Sequence, residues 1–147
     1  MQSECVNIYK KCRLSAYDRP TQQEAAEKLH IGLRSLADYE AGTTIPPEDV
    51  VCAMVELYGN RWLGYQHLQQ HSLIGRKYLP SVQETDLAVA VLRLQKEVRD
   101  IDRVESAMVE VACDGIVEQS EKIRWRHVEK EVEEVAGAAL ALVMAGR

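Results

Sequence analysis

Three pairs of acidic residues in the second half of the chain have a spacing that suits a divalent cation. The members of each pair are three or four residues apart, so both carboxylates would lie on one face of a helix. Helical enzymes that hydrolyse nucleotide pyrophosphates bind magnesium through carboxylates spaced in this way. The same stretches also carry seven lysines and arginines, which is typical of a solvated surface of mixed charge, and we favour that interpretation. The pairs are Glu97 with Asp100, Glu118 with Glu121, and Glu129 with Glu133.

Two histidines and four cysteines are the other candidates for metal or redox chemistry. His67 and His71 lie four residues apart on a predicted helix, but no third ligand is evident, so we expect no metal site. The cysteines have no C-x-x-C spacing and are expected to be free thiols in a reducing compartment. The sequence also has no phosphate-binding glycine loop and no nucleophile motif, so we predict no catalytic residue, no enzyme activity and no cofactor. The cysteines are Cys5, Cys12, Cys52 and Cys113.

The composition favours an all-α protein. Of the 147 residues, 46% are apolar, which is enough for a packed core, whereas aromatic residues are only 5% and phenylalanine is absent. Alanine, valine, leucine and glutamate are plentiful, a mixture that favours helices over a strand-rich sandwich or barrel. No run of about 18 apolar residues predicts a membrane span, and the first residues do not resemble a signal peptide. We expect a cytoplasmic protein that does not associate with membranes.

Charge is unevenly distributed along the chain. The net charge of −5 and the isoelectric point near 5.4 exclude a strongly basic nucleic-acid-binding protein, for which the isoelectric point exceeds about 9. Residues 1–58 hold six bases and nine acids, residues 59–80 three bases and no acid, and residues 81–147 nine bases and fourteen acids. The middle segment is the only positive one, and an acidic protein can still present a local basic surface.

Start and stop signals divide the first part of the chain into five short helices. A first helix ends before Pro20, and Thr21 with Glu24 forms a capping box at the start of the second. Gly42 ends the third helix as a left-handed residue. These signals predict a compact α-helical domain over residues 1–72. The remaining start and stop signals are Pro46 and Pro47 at the start of the fourth helix, Gly59 at its end, and Asn60 before the fifth.

The apolar pattern changes after residues 73–83, which we interpret as a linker. In residues 84–147, apolar residues recur at steps of 4, 3, 4 and 3 in two stretches, which is the pattern of a coiled-coil seam. A turn at Asp114–Gly115 separates the stretches, so we predict a long helical hairpin for oligomerisation or partner binding, although its seams could equally pack within one chain. The first seam is Leu87, Val91, Leu94, Val98 and Ile101, and the second is Val128, Val132, Val135, Ala139 and Leu142.

The second and third helices have the spacing of a helix-turn-helix. Such a motif needs a small residue where the helices cross, an apolar residue in the turn and an apolar residue that fixes the second helix. Ala26, Ile31 and Leu36 meet these needs at steps of five. The exposed face of the third helix would then be available for insertion into a DNA major groove about 12 Å wide.

Two longer segments resemble the Cro/phage-repressor (XRE) family of transcriptional regulators. Residues 21–29 read T-Q-Q-E-A-A-E-K-L, and residues 34–42 read R-S-L-A-D-Y-E-A-G, followed by I-P-P at 45–47. The likeness covers about residues 6–70, nearly half of the chain. It implies a five-helix DNA-binding domain of the λ-repressor type.

The resemblance implies a role for each matching position. Gln22 matches the residue that bonds a phosphate and braces the third helix. Tyr39 and Glu40 match structural positions rather than positions that face DNA. The positions that read base edges are Leu33, Arg34 and Asp38, with Ala37 beside them, and the remaining phosphate-contacting positions are Ser35, Thr43 and Thr44.

The sequence departs from the family pattern in and around the turn. His30 replaces the usual turn glycine, Gly32 replaces the usual Ser/Thr cap, Leu33 is apolar where a polar reader is common, and the Thr43–Thr44 loop is uncharged. Because few phosphates would be neutralised, we expect weak binding by one copy and a homodimer formed through residues 84–147. The bases available for phosphates would be Lys10, Lys11, Arg13, Arg19, Lys28, Arg34 and Arg61.

These features together predict a sequence-specific regulator of transcription that binds double-stranded DNA. A repressor of bacterial, phage or mobile-element origin is the leading interpretation, and it rests on the family resemblance. A protein-interaction module that keeps the helix-turn-helix fold without reading DNA is the alternative, favoured by the acidic first domain and by Leu33. A regulator that responds to a small molecule would in addition need a pocket in the hairpin.

Overall fold

In the computed structural model, which describes residues 7–146, the chain is all-helical, and no β-strand occurs between those residues. The chain divides into two compact units, one that ends at Leu79 and one from Pro80 to Gly146. None of the helices between residues 7 and 146 combines the length with the apolar character that a membrane-spanning helix needs. The helices are α1 (Ile8–Ser15), α2 (Gln22–Lys28), α3 (Leu33–Ala41), α4 (Glu48–Tyr58), α5 (Arg61–His71), α6 (Leu73–Tyr78), α7 (Leu87–Ile101), α8 (Glu105–Ala112) and α9 (Lys122–Ala145).

The first five helices begin and end where the sequence signals predict. Thr21 and Glu24 form the capping box, the Asn60 side chain accepts a hydrogen bond from the Trp62 amide, and Gly42 has a left-handed φ of 73°. A single apolar core joins α1 to α5, because each of these helices turns one face inward. Its buried side chains are Tyr9, Cys12, Ala16, Ala25, Ala26, Leu29, Leu36, Val51, Met54, Tyr58 and Leu63.

A sixth helix, α6, occupies much of the segment predicted as a linker. The Ser72 side chain caps it by accepting a hydrogen bond from the Gly75 amide at 3.2 Å. Gly75 is buried, and a Cβ at this position would collide with the backbone of Leu68, so the glycine lets α6 pack directly on α5. Residues 73–78 therefore belong to the first unit, and the unit boundary lies after Leu79.

The second unit contains the predicted hairpin, with its first arm in two pieces. The break between α7 and α8 falls at residues 102–104, directly after Ile101, the last residue of the first seam. Gly115 has a φ of 77° in the predicted turn, and α9 begins at Lys122, seven residues after that glycine. Val104, Val111 and Val128 are buried and fix α8 and the start of α9 in place.

Candidate nucleic-acid interface

The turn between α2 and α3 holds the two helices at a fixed angle through backbone hydrogen bonds and one strained residue. The Ile31 amide donates to the Ala26 carbonyl at 3.0 Å, and the His30 amide donates to the Glu27 carbonyl at 3.2 Å. His30 adopts a left-handed φ of 54°, a conformation that glycine adopts at lower cost than other residues. Ala26 and Leu36 are buried, and Ile31 packs half-buried against the same core.

A buried ionic network holds α3 against α1 and α2. Glu40, on the inner face of α3, accepts hydrogen bonds from Arg13 Nε at 2.6 Å and Nη2 at 2.9 Å. Arg13 Nη1 also donates to the Pro20 carbonyl at 3.0 Å, and Gln22 Nε2 donates to Glu40 Oε2 at 2.8 Å. The hydrogen bonds to Glu40 raise the pKa of Arg13, although burial of the guanidinium opposes the rise. Because α1, α2 and α3 each contribute a side chain, this network fixes the orientation of α3.

The sequence-predicted contact residues lie on the surface that this network positions. Leu33, Arg34 and Ser35 are exposed in the first turn of α3, and Asp38, one turn later, is half-buried. Thr43 and Thr44 are exposed, and their amides are directed at the Asp38 carbonyl at 2.9 and 3.4 Å, which ties the loop to the end of α3. Gln22 is half-buried, since Glu40 holds its side-chain amide.

One assignment of the sequence analysis is wrong. Arg13 was expected among the bases available for phosphates, but its guanidinium is buried and engaged with Glu40. The signal for this role is present in the sequence: Arg13 lies between Cys12 and Ala16 on the apolar face of α1, at a helical spacing of four from Tyr9. An arginine at such a position needs a buried carboxylate, and Glu40 is that partner. The other expected bases, Lys10, Lys11, Arg19, Lys28, Arg34 and Arg61, are exposed.

The charge of the first unit differs from that of the segment 1–58. Residues 7–79 hold nine bases and eight acids, because α6 brings Arg76 and Lys77 into the unit. Both of these side chains are exposed. The unit that carries the helix-turn-helix is therefore close to neutral rather than acidic.

His67 and His71 help to pack α5 on α1. The Tyr9 hydroxyl lies 2.8 Å from His67 Nδ1, and the Tyr9 ring stacks on His71 with centroids 6.3 Å apart. Burial raises the pKa of Tyr9 to about 12, so the phenol stays protonated and can donate to a neutral His67. Burial, with a smaller effect of His71, lowers the pKa of His67. Both histidines therefore have a packing partner in Tyr9.

Members of two of the three acidic pairs take part in local contacts. Lys96 Nζ donates to Asp100 at 2.9 Å and to Glu97 at 3.2 Å, which lowers the pKa of Asp100. The Glu118 amide donates to the Glu121 carboxylate at 3.0 Å. Between residues 7 and 146, no group of three or more His, Cys, Asp or Glu side chains is placed to hold a metal ion. Cys52 and Cys113 are exposed free thiols, Cys12 is buried in the core of the first unit, and Cys5 lies outside the described residues.

Comparison with known proteins bears on the same segment. The family model for a helix-turn-helix matches residues 21–62, which run from the cap of α2 to the second residue of α5. No curated protein and no solved structure has a significant match to the chain. The matched residues contain the buried Ala26 and Leu36, the turn and the exposed start of α3. The chain therefore carries a helix-turn-helix over residues 21–62, in the segment that resembles the Cro/phage-repressor (XRE) regulators.

Proposed function

We propose that the protein is a cytoplasmic, sequence-specific DNA-binding repressor of transcription, of bacterial, phage or mobile-element origin. The exposed first turn of α3 carries this proposal. In that turn, three consecutive side chains, Leu33, Arg34 and Ser35, are open to solvent on a helix whose inner face is fixed by Leu36 and Glu40. A rigidly held helix with a free N-terminal face is the element that helix-turn-helix proteins insert into the major groove.

The exposed side chains of α3 have the chemistry for reading base edges. Arg34 can donate two hydrogen bonds to O6 and N7 of guanine, Asp38 can accept one from N4 of cytosine, and Leu33 can contact the methyl group of thymine. Each such pairing discriminates against a wrong base by about 1–3 kcal/mol. Repression would follow when the bound protein blocks access of RNA polymerase to a promoter.

Polar groups around α3 are suited to phosphate contacts. We assign Ser35, Thr43 and Thr44 to this role, because their side chains are exposed at the two ends of the helix. Gln22 joins them, since the amide nitrogen that donates to Glu40 carries a second hydrogen that can reach a phosphate oxygen.

A homodimer formed through residues 84–147 completes the proposal. The near-neutral first unit neutralises few phosphates, so one copy gains little affinity from counterion release. Two copies that bind half-sites about one helical turn apart would supply the missing affinity and specificity.

Selection from a pool of random duplexes, with affinity followed against salt, tests the proposal. We expect an enriched palindrome. Arg34→Lys keeps the charge but loses the bidentate geometry, so it should relax the preference at one base pair per half-site by about fivefold to 150-fold, or about 1–3 kcal/mol. Gln22→Ala should weaken all duplexes alike. If no duplex is enriched and both variants bind as the parent does, the proposal is refuted.

A protein-interaction module is the second candidate. Leu33 is 44% exposed at the position where a polar reader is common in the family, and an exposed apolar side chain on a rigid helix suits a protein partner. Absence of enrichment in the duplex selection, with only weak binding that salt abolishes, would favour this candidate. Leu33→Gln then separates the two, because it should abolish partner binding in the module, whereas in a DNA reader it should alter the preference at one base pair by about 1–3 kcal/mol and leave the other positions of the site unchanged.

A further inference from the structure

Three parts of the chain enclose a polar cavity in the second unit. Residues 80–83, which precede α7 and are not helical, form one wall, and α7 and α9 form the other two. The cavity has a volume of about 260 Å³. Pockets that take drug-sized molecules have about 300–1,000 Å³, so this one has room for a smaller metabolite.

Gly137 lets residues 80–83 lie directly on α9. It is buried, and a Cβ at this position would lie 3.1 Å from the Ser81 carbonyl oxygen, closer than such atoms normally pack. Glycine inside a helix is less favourable than alanine by about 1 kcal/mol, and this close approach is its structural role at position 137. The first wall of the cavity is therefore held in place by packing.

Four charged side chains line the cavity, and two of them compensate each other. Lys130, Glu133 and Glu134 share one face of α9 at spacings of three and four, and Arg93 lies opposite them on α7. Lys130 Nζ lies 3.5 Å from Glu134 Oε1, which makes an ion pair. Among residues 7–146, Arg93 and Glu133 form no side-chain hydrogen bond and no ion pair, either with each other or with another residue.

One positive and one negative charge are therefore available in the same cavity. A guanidinium binds a carboxylate through two parallel N–H···O bonds, and a carboxylate accepts hydrogen bonds from an ammonium group. A ligand with a net charge would be attracted by one of these side chains and repelled by the other. A zwitterion satisfies both Arg93 and Glu133.

We propose that this cavity binds a free α-amino acid, with the ligand carboxylate on Arg93 and the ligand ammonium group on Glu133. An α-amino acid carries both charged groups on one carbon atom, so it is a zwitterion small enough for a cavity of this volume. The Gln83 side chain, on the first wall, has an amide that can donate to the same carboxylate. We call this cavity the amino-acid site.

A regulatory role of the amino-acid site rests on the proposed function, whereas ligand binding itself does not. Residues 80–83 directly follow the first unit, which ends at Leu79. A ligand held against these residues changes the contacts of the segment that joins the hairpin to the unit with the helix-turn-helix. We therefore expect the bound amino acid to change the affinity for the selected duplex by about fivefold or more, the lower end of allosteric coupling.

Isothermal titration calorimetry of the full chain without DNA, with each of the twenty common L-amino acids, tests the site. We expect at least one of them to bind with a dissociation constant below about 1 mM, a modest affinity for a ligand of about ten non-hydrogen atoms. The N-acetyl and the carboxamide derivative of that amino acid each lack one charge. Both derivatives should bind the parent at least about tenfold more weakly.

Variants of the two available charges locate the bound amino acid. Arg93→Gln and Glu133→Gln should each raise the dissociation constant at least about tenfold, because each removes one charged partner of the ligand. Arg99→Gln and Glu129→Gln are the matched controls: they remove the same charges from exposed positions of α7 and α9 outside this cavity, and they should bind as the parent does. Far-ultraviolet circular dichroism checks that all four variants are folded.

The outcomes separate this inference from the proposed function. If no amino acid binds the parent below about 1 mM, or if Arg93→Gln and Glu133→Gln bind as tightly as the controls, the amino-acid site is overturned. An amino acid that binds in the cavity while no duplex is enriched supports the site and refutes DNA reading. An amino acid that binds but leaves the affinity for an enriched duplex unchanged overturns the regulatory role.

Discussion

Replacing Arg13 by methionine should destabilise the first unit by about 3–5 kcal/mol, the cost of leaving a buried charge without its partner. Methionine has a similar length and fits the apolar surroundings, so the loss is mainly electrostatic. The Glu40 side chain is 2% exposed, and Arg13 supplies two of its hydrogen bonds, at 2.6 and 2.9 Å. In the variant, Gln22 would remain as a single neutral donor. A loss of this size is large beside the 5–15 kcal/mol by which small domains are stable.

Removal of both charges should restore most of the lost stability. The double variant Arg13→Met/Glu40→Leu leaves no buried ion, and the half-buried Gln22 amide can turn towards water. We expect the double variant to lie within about 2 kcal/mol of the parent, so it should recover at least about 1–3 kcal/mol of the stability that Arg13→Met loses. Lys10→Met, on the exposed side of the same helix, is the control and should change stability by less than about 0.5 kcal/mol.

Urea unfolding followed by tryptophan fluorescence measures these differences. Trp62 is buried in the first unit and Trp125 belongs to the second, so a Trp125→Phe background makes the signal specific for the first unit. The reasoning is refuted if Arg13→Met unfolds within 1 kcal/mol of Lys10→Met, or if the double variant is no more stable than Arg13→Met. Either result would mean that the network does not hold α3 in place.

Three further predictions concern single residues of the first unit. Tyr58→Phe should stabilise the protein by about 1 kcal/mol, because the buried Tyr58 hydroxyl has no hydrogen-bond partner among the described residues; a lower urea midpoint would contradict this. Gly32→Ser should add about 0.5–1 kcal/mol, since Gly32 caps α3 without a side-chain hydrogen bond at an extended φ of −66° that serine adopts freely; an unchanged thermal midpoint would contradict it. The free energy of unfolding should fall as the pH drops below about 6.5, because burial lowers the pKa of His67 and the unfolded chain therefore binds the proton more readily. This stability is complete above pH 6.5, and His67→Gln should flatten the dependence between pH 7.5 and 5.5 measured by urea titration.

The helix boundaries of the first unit could be predicted because they depend on local chemistry. Thr21, Asn60 and Gly42 act on backbone groups within three or four residues, so their effect is readable from the sequence alone. The helix α6 was missed for a different reason. Its six residues have no long apolar period, and its stability depends on close packing of Gly75 against Leu68, a tertiary contact that no local pattern reveals.

The candidate site was predictable in part. The positions of Leu33, Arg34 and Ser35 on an exposed helix face follow from the helical period and from the buried Leu36. The pairing of Arg13 with Glu40 joins residues 27 positions apart, and the sequence alone does not select Glu40 from the acids of the first unit. The fold determines which distant polar residues pair. A buried arginine can therefore be suspected from its apolar neighbours, but its partner cannot be identified from the sequence.

The two seams show that a correctly recognised apolar period does not reveal which face of the helix packs against its neighbour. The steps of 4 and 3 correctly indicate two helices, but α7 has room for more than one apolar face. The face of α7 that packs in the hairpin contains Ala90, which is small, and Glu97, which is charged. A search of the sequence for large apolar residues therefore does not detect this face. The large residues Leu87 and Val98 remain exposed beside it. The period therefore identifies the helix but not the face that it buries in the hairpin.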